Sequence, residues 1–332
     1  MNIESFEVVM DIGTCVMAFL FGITIGSFLN VAILRLPAGE SLTKKNSHCM
    51  TCGAEILHRD LVPLFSWLIL GGKCRACKAP ISPRYSIVEA LTGVLFVLIF
   101  VKYDLVYDGF FYPACLCLFL AGLIVLAFQD IDNQEMCVSV LIYTLIIAVI
   151  ARVFSLFALK AFRGNDVQLI DGIIGLFSVS VPMLLIGFVI TPLVYKLVGE
   201  NHKAVRRLKK RLRTEKLSSK EEAKLKSALD EKLTAIKENG PVYGFGMGDV
   251  LMMAAGGLML GWKACVVAVF IAIILGAVTA VIMKLVNKSK GVETESAFAF
   301  GPFLAVGLAF STYLGTEVFD LYVSALTVPT VM

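Results

Sequence analysis

Eight apolar stretches, at about 8–34, 86–102, 109–129, 137–159, 168–197, 249–262, 264–287 and 297–315, occupy most of this 332-residue chain. Most approach the roughly 20 residues that a helix needs to cross a bilayer. Inside hydrocarbon every backbone N–H and C=O must find a partner within the protein, so runs of this kind fold as helices. At 58% hydrophobic content and a mean hydropathy of +0.83, the chain lacks the polar surface that a water-soluble globule of this size needs. The expected fold is an all-α polytopic membrane protein with about eight transmembrane helices. Leu321 to Met332 are also apolar but carry Pro329, and are expected to form a tail.

Basic loops stay on the cytoplasmic side of a membrane, so Lys and Arg set the orientation. The loop 35–85 carries Arg35, Lys44, Lys45, Arg59, Lys73, Arg75, Lys78 and Arg84 against three acids, and 196–240 carries fourteen basic residues against seven acids. Lys284, Lys288 and Lys290 mark a third basic connection, whereas 102–108 and 160–166 hold few basic residues. The basic loops are therefore expected in the cytoplasm and both termini outside. The start, Met1-Asn2-Ile3-Glu4-Ser5, lacks the basic region of a cleaved signal peptide, so the first apolar stretch is expected to remain as a helix. The net charge of +4 is then an orientation signal, and no nucleic-acid partner is implied.

Within the first basic loop stand two identical pairs, Cys49-Met50-Thr51-Cys52 and Cys74-Arg75-Ala76-Cys77. Twin C-x-x-C spacing brings four thiolates to one tetrahedral point, the geometry of a closed structural zinc site. The loop reads as a small cytoplasmic zinc-binding domain inserted after helix 1. The alternatives are two disulfides, which a reducing cytoplasm disfavours, or free thiols packed as small hydrophobes. His48 borders Cys49, but four thiolates already complete the tetrahedron. Cys15, Cys115, Cys117, Cys137 and Cys265 lie in or beside apolar helices without paired spacing and read as small core residues.

Ionisable groups at membrane depth are costly, so those at helix ends facing a cavity are functional candidates. Asp130 ends the third apolar helix and is followed by Ile131-Asp132-Asn133; Asp249 opens the sixth after Gly244-Phe245-Gly246-Met247-Gly248. Alternation of the helices puts both at the cytoplasmic boundary. Two carboxyls brought close together cannot both ionise cheaply, so one stays protonated as the acid while the other takes a proton from water. Water then attacks a peptide carbonyl. Gly246 and Gly248 support such chemistry if they let backbone approach an extended substrate and accept angles closed to other residues. The plainer reading makes Asp130 and Asp132 interfacial charges and Asp249 a helix N-cap.

Further strings stand in register with these. They are Gly26-Ser27-Phe28-Leu29-Asn30-Val31, Arg35-Leu36-Pro37, Asp60-Leu61-Val62-Pro63-Leu64-Phe65-Ser66-Trp67, Gly72-Lys73-Cys74, Ile81-Ser82-Pro83-Arg84-Tyr85 and Glu89. Over nearly its whole length the chain resembles the type IV prepilin peptidases, membrane aspartic proteases of the Gly-x-Gly-Asp class. The resemblance implies that Asp130 and Asp249 are the catalytic pair, with Asp130 the better match to the first motif than Asp132. It implies prepilin or pseudopilin substrates, whose short basic leader ends in Gly before an apolar helix and is cut at the cytoplasmic face of the inner membrane. It also implies methylation of the new N-terminal amine, with S-adenosylmethionine as cofactor and Gly72 at a position associated with methylation. A turn glycine before the second cysteine pair is the plainer reading of Gly72. The chain has no Gly-x-Gly-x-x-Gly turn after a strand, so a cofactor site of Rossmann type is not expected. It departs from the family at Cys137-Val138, where Pro and a polar residue are expected.

The expected organisation follows: 1–36 as the first transmembrane helix, 37–85 as the zinc-binding domain, and 86–198 as helices 2–5 with Asp130. Residues 199–241 form a basic cytoplasmic helical insertion longer than the family's usual connection, and 242–332 hold helices 6–8, Gly-x-Gly-Asp and the apolar tail. In the insertion Leu225, Leu229, Leu233 and Ile236 recur at helical spacing, as do Val205, Leu208 and Leu212. Ser219-Lys220-Glu221-Glu222 fits a capping box between them, so a charged helical hairpin is expected, its basic face in water or against anionic lipid of the bilayer. Two other classes fit a chain of this kind. A transporter would place acids along an ion path at mid-membrane, and a noncatalytic assembly factor would dock through its zinc domain.

Overall fold

The computed structural model describes residues 3–43, 47–103, 109–162, 167–198, 219–238, 245–290 and 299–327, together with 204–205, 207–208 and 211. Helix dominates. In chain order the helices are α1 (Ile3–Arg35), α2 (Phe65–Ile69), α3 (Arg84–Lys102), α4 (Phe111–Asn133), α5 (Val138–Phe162) and α6 (Val167–Ser178). They continue as α7 (Ser180–Leu185), α8 (Thr191–Val198), α9 (Ser219–Glu238), α10 (Met247–Leu260), α11 (Trp262–Lys290) and α12 (Gly301–Thr327). Among the described residues the only β pairing is two isolated bridges, His48 with Glu55 and Lys73 with Pro80.

Among the described residues seven helical segments are long and apolar enough to span a membrane, and α10, at 14 residues, is a shorter apolar helix. The protein is a multi-pass membrane protein. These segments coincide with the eight apolar stretches, with one correction at the end of the chain. The sequence points to a tail from Leu321, yet α12 runs unbroken to Thr327. No Gly or Pro interrupts 316–327. Proline disfavours helix chiefly at the residue before it, so Pro329 need not end the helix any earlier.

The chain divides into two compact units, Met1–Val179 with Leu251–Met332, and Ser180–Val250. In the first, α4 is central: 67% of its span is buried, against 28–44% for the other candidate spans. Leu116, Phe119, Leu120, Leu123 and Leu126 are all fully buried on it, and a helix that is apolar all round belongs in the middle of a bundle. α1 crosses α3 through Gly22 and Gly26. Gly22 faces Gly93, and a Cβ at Gly26 would stand 2.7 Å from the Glu89 Cα. Small residues four apart let membrane helices meet backbone to backbone. Buried Asn30 adds a bond from Nδ2 to the Tyr85 carbonyl at 3.0 Å, so these residues of the first string fasten α1 to the start of α3.

α10 is about 21 Å long at 1.5 Å per residue, short of the roughly 30 Å of hydrocarbon. Its last carbonyls have no partner within the helix and, where enclosed, need donors from elsewhere. Arg152 on α5 supplies them, donating from Nε to the Leu258 carbonyl at 2.6 Å and from Nη2 to the Met259 carbonyl at 3.0 Å. The Tyr112 hydroxyl adds a bond to Met259 at 3.3 Å. A cation at a helix C-terminus also complements the helix dipole. Gly261, at φ +90°, then turns the chain into α11.

In the second unit Pro192 has no N–H to give the preceding turn, and the helix widens into a π turn at Ile186–Ile190. The Thr191 hydroxyl donates to the Ile186 carbonyl at 2.8 Å. Gly187 in that turn packs on Phe245, whose nitrogen would lie 3.1 Å from a Cβ at 187. The second half of the basic insertion is α9, which starts at Ser219. Of its first half, Val205 and Leu208 are helical and Leu212 lies outside the described residues.

Candidate active site and metal centre

Asp130 stands in the last turn of α4, which continues to Asn133 and closes on Gln134 in the left-handed region. The carboxyl is 7% exposed. Its Oδ2 accepts the Gly301 N–H at 2.8 Å, and Gly301 is the first residue of α12. The carboxylate thus meets the positive end of a helix, where free amides await acceptors. A Cβ at 301 would fall 2.2 Å from Met136 Cε and 2.7 Å from Asp130 Oδ2, so a larger residue would push the two apart. Sequence reasoning missed Gly301. The available signal was Gly301-Pro302 heading an apolar run, a helix-start pattern.

Beside Asp130, Gln129 is fully buried, and its Oε1 accepts the Cys137 N–H at 3.1 Å. A proline at 137 would have no N–H to give, so the departure from the family pattern there is matched by a bond that leads into α5. Asp132, the other candidate, is exposed and is gripped by Arg84, whose Nη1 and Nη2 donate to its two oxygens at 2.7 Å each. The same guanidinium lies 4.7 Å from the Phe128 ring centroid. Asp130 and Asp132 therefore differ in environment: one is enclosed on a backbone amide, the other is half of a surface ion pair.

Asp249 is the third residue of α10, not its N-cap. It is 8% exposed, and its Oδ2 accepts the Gly246 N–H at 3.1 Å. This is the return bond of a capping box, in which an acidic side chain reaches back to the amide that precedes the helix. Gly246 and Gly248 are absent from the left-handed glycines among the described residues, so the expected angles closed to other residues are not found there. Gly246 serves instead through its amide. Gly244 lies outside the described residues. Asp130 belongs to the first compact unit and Asp249 to the second.

The Sγ atoms of Cys49, Cys52, Cys74 and Cys77 all lie within 4.8 Å of one another, and those of Cys49 and Cys77 are 3.8 Å apart. A tetrahedron with Zn–S bonds of about 2.3 Å has edges of roughly 3.8 Å. All four cysteines are free thiols, so the donor set and spacing fit a metal ion and not a pair of disulfides. The two pairs fold alike. Cys49 donates to Ala54 and receives Gly53, both at 2.9 Å, while Cys74 donates to Ala79 at 2.8 Å and receives Lys78 at 3.0 Å. Hydrogen bonds from the Cys52 and Thr51 amides draw the Cys49 thiol down to about 6. The Ala79 amide acts the same way on Cys77, but bonds shared with the other sulfurs and burial outweigh it and lift that thiol to about 11. Of the remaining cysteines, Cys115, Cys117 and Cys265 are buried in the core, and Cys15 and Cys137 are half-buried.

Within this domain Arg75 donates to Asp60 at 2.7 and 2.6 Å, and the domain is fixed to α3 by the Glu89 carboxylate, which accepts the Leu64 N–H at 2.7 Å. Gly72 sits at φ +67° with its carbonyl accepting the Ile81 N–H at 2.7 Å. A Cβ there would lie 3.0 Å from Trp67 Cζ2, so the indole fills the space beside this glycine.

Residues 20–103 match the bacterial peptidase A24 N-terminal domain, and residues 117–281 match the type IV leader peptidase family. The chain belongs to the type IV leader peptidase family. The first match takes in the second half of α1, the cysteine domain and α3; the second takes in Asp130 and Asp249. A prepilin leader peptidase/N-methyltransferase of Myxococcus xanthus is 39% identical over 149 residues, which is 45% of this chain and 42% of that protein. Proteins of the same name from Stutzerimonas stutzeri and Pseudomonas aeruginosa are 28% and 27% identical over 313 and 327 residues. Those alignments cover 87% and 91% of this chain, and 86% and 91% of the relatives. No solved structure matches the chain.

Proposed function

We propose that this protein is an aspartic endopeptidase that removes the basic leader of type IV prepilins or pseudopilins at the cytoplasmic face of the inner membrane, and that it N-methylates the new N-terminus. The observation that carries the reading is the enclosed carboxyl of Asp130, held by the Gly301 amide, in a chain of the leader peptidase family. Asp249 supplies the second carboxyl. Catalysis by such a pair requires one carboxyl protonated and the other ionised, because adjacent carboxylates repel each other. The ionised group takes a proton from water as the water attacks the scissile carbonyl. The acid then delivers its proton to the departing amine as the tetrahedral intermediate collapses. The Gly301 and Gly246 amides keep the two carboxyls aimed, so neither has to be reoriented during the reaction.

The basic loops put the cysteine domain and both aspartates on the cytoplasmic side and both termini outside. Zinc is the metal that suits the four thiolates. Once bound it ties the two cysteine turns together, and a closed four-thiolate shell leaves no position for substrate, so its part is structural. S-adenosylmethionine is the methyl donor in this reading, and Trp67 fills the space beside Gly72. A transporter is disfavoured because both acids stand at helix ends and not at mid-span. The test is cleavage of a synthetic peptide with a basic leader ending in Gly before an apolar segment, followed by mass spectrometry. Wild-type protein in detergent should cut after that Gly, and Asp130→Asn and Asp249→Asn should not. An uncut peptide with wild-type protein overturns the proposal.

A further inference from the structure

We infer that Arg84 is a positioning residue for the Asp130 carboxyl, tying the cysteine domain to the end of α4. The inference rests on Asp130 being catalytic. Arg84 is the first residue of α3, immediately after the strand of chain that leaves the cysteine domain. That strand is fixed on its domain side: the Ile81 N–H donates to the Gly72 carbonyl at 2.7 Å, and the Ile81 carbonyl accepts Trp67 Nε1 at 3.2 Å. On the other side Arg84 reaches 48 positions along the chain to the two oxygens of Asp132, at 2.7 Å each, and covers the Phe128 ring at 4.7 Å.

Phe128 and Asp132 are four residues apart and share a face of α4. Arg84 therefore holds both ends of the last turn, and Asp130 projects from that same turn. The turn closes with the Gln134 N–H on the Asp130 carbonyl at 2.9 Å, so fraying there would move the residue that bears the carboxyl. Helix ends fray readily when nothing outside the helix holds them.

Stability alone is a weak reason for such a contact. The two side chains are 32% and 28% exposed, and a partly exposed pair of this kind adds little to stability. Orientation is a stronger one. A guanidinium donating two parallel bonds fixes angle as well as distance, and the stacked ring removes the remaining freedom. A displacement of about 1 Å at a reacting group costs on the order of a hundredfold in rate, so a clamp worth little in stability can weigh heavily in turnover.

The test uses full-length protein in detergent, with kcat and KM for leader-peptide cleavage, metal content per chain and melting temperature. Arg84→Met and Asp132→Asn should each lower kcat about tenfold, with KM within about twofold and metal content unchanged. The double variant should be no slower than the slower single, because each change removes the same clamp. Arg84→Lys keeps the charge without the fork and should recover part of the lost kcat. Asp132→Asn leaves the start of α3 intact, so the test stands even if Arg84→Met does not fold. Wild-type kcat in Arg84→Met, additive losses in the double variant, or losses that follow melting temperature and metal content would each overturn the inference. Asp130→Asn separates the two levels. If it cleaves at the wild-type rate, the catalytic reading fails and takes this inference with it; if it is inactive while Arg84→Met is fully active, only the inference fails.

Discussion

The amide of Gly301 donates to Oδ2 of Asp130 at 2.8 Å, so the first residue of α12 holds the carboxyl in the last turn of α4. Two helix ends meet there, one offering a free N–H and the other an acceptor. The approach depends on a missing side chain. Gly301→Ala puts a methyl 2.2 Å from Met136 Cε and 2.7 Å from Asp130 Oδ2, and one of them has to move. The expected outcome is a fall in kcat of about a hundredfold with KM nearly unchanged. A Gly301→Ala protein that turns over at the wild-type rate would show that this amide does not aim the carboxyl.

Arg152 is expected to matter for stability. Arg152→Leu takes from the partly buried Leu258 and Met259 carbonyls the guanidinium that donates to both, leaving the longer Tyr112 bond on Met259. The cost is on the order of 2–4 kcal/mol, visible as an earlier unfolding midpoint in a denaturant titration. Tyr112→Phe removes only the 3.3 Å bond and should cost about 1 kcal/mol. Equal effects from the two changes would contradict this ranking.

Metal analysis of purified protein should find one zinc per chain. Cys49→Ser or Cys77→Ser should lose it and make the segment 36–83 sensitive to protease, since the ion joins two turns that otherwise have little core between them. Because the thiols belong to the cysteine domain and both aspartates to apolar helices, residual cleavage should fall less than metal content does. Full zinc retention after either change would rule out the four-thiolate site.

Acid should act on the same domain through Asp60. The Arg75 hydrogen bonds hold the Asp60 carboxyl below the usual carboxylate range. A carboxyl whose folded pKa is depressed contributes stability that is complete above its unfolded pKa of about 3.9 and is lost as pH falls through the lower folded value. The contribution is therefore flat from roughly pH 5 to 8 and fades below roughly 4. Arg75→Met should be the less stable protein at neutral pH and should converge on wild type in acid, as followed by protease resistance. Both proteins lose thiolate ligands alike as pH falls, so their difference isolates the pair. Parallel curves across that range would show that the pair contributes nothing.

Much of this architecture was legible in the sequence because the signals are local. Apolar runs reveal membrane helices residue by residue, and a C-x-x-C pair carries its own spacing, so the helices and the cysteine cluster needed no knowledge of the fold. The supports of the candidate site were not legible, because each depends on distant contacts. Gly301 lies 171 positions from Asp130, and Arg84 lies 48 from Asp132. Arg152 lies 106 positions from Leu258, whose carbonyl it holds. Pro329 suggested an early end to the last helix, although proline restricts mainly the residue before it. The glycines before Asp249 suggested unusual backbone angles, whereas Gly246 acts through an ordinary amide.

Whether Asp130 and Asp249 together cut the leader is tested by the products of four proteins. Wild-type, Asp130→Asn, Asp249→Asn and Asp132→Asn proteins, matched for helix content and zinc, are incubated in detergent with a basic-leader peptide and the products are weighed. The expected outcome is cleavage after the leader's Gly by wild type, at least about a thousandfold less by either Asp130→Asn or Asp249→Asn, and measurable cleavage by Asp132→Asn. Cleavage by Asp130→Asn alongside a dead Asp132→Asn would contradict it and move the catalytic carboxyl to Asp132.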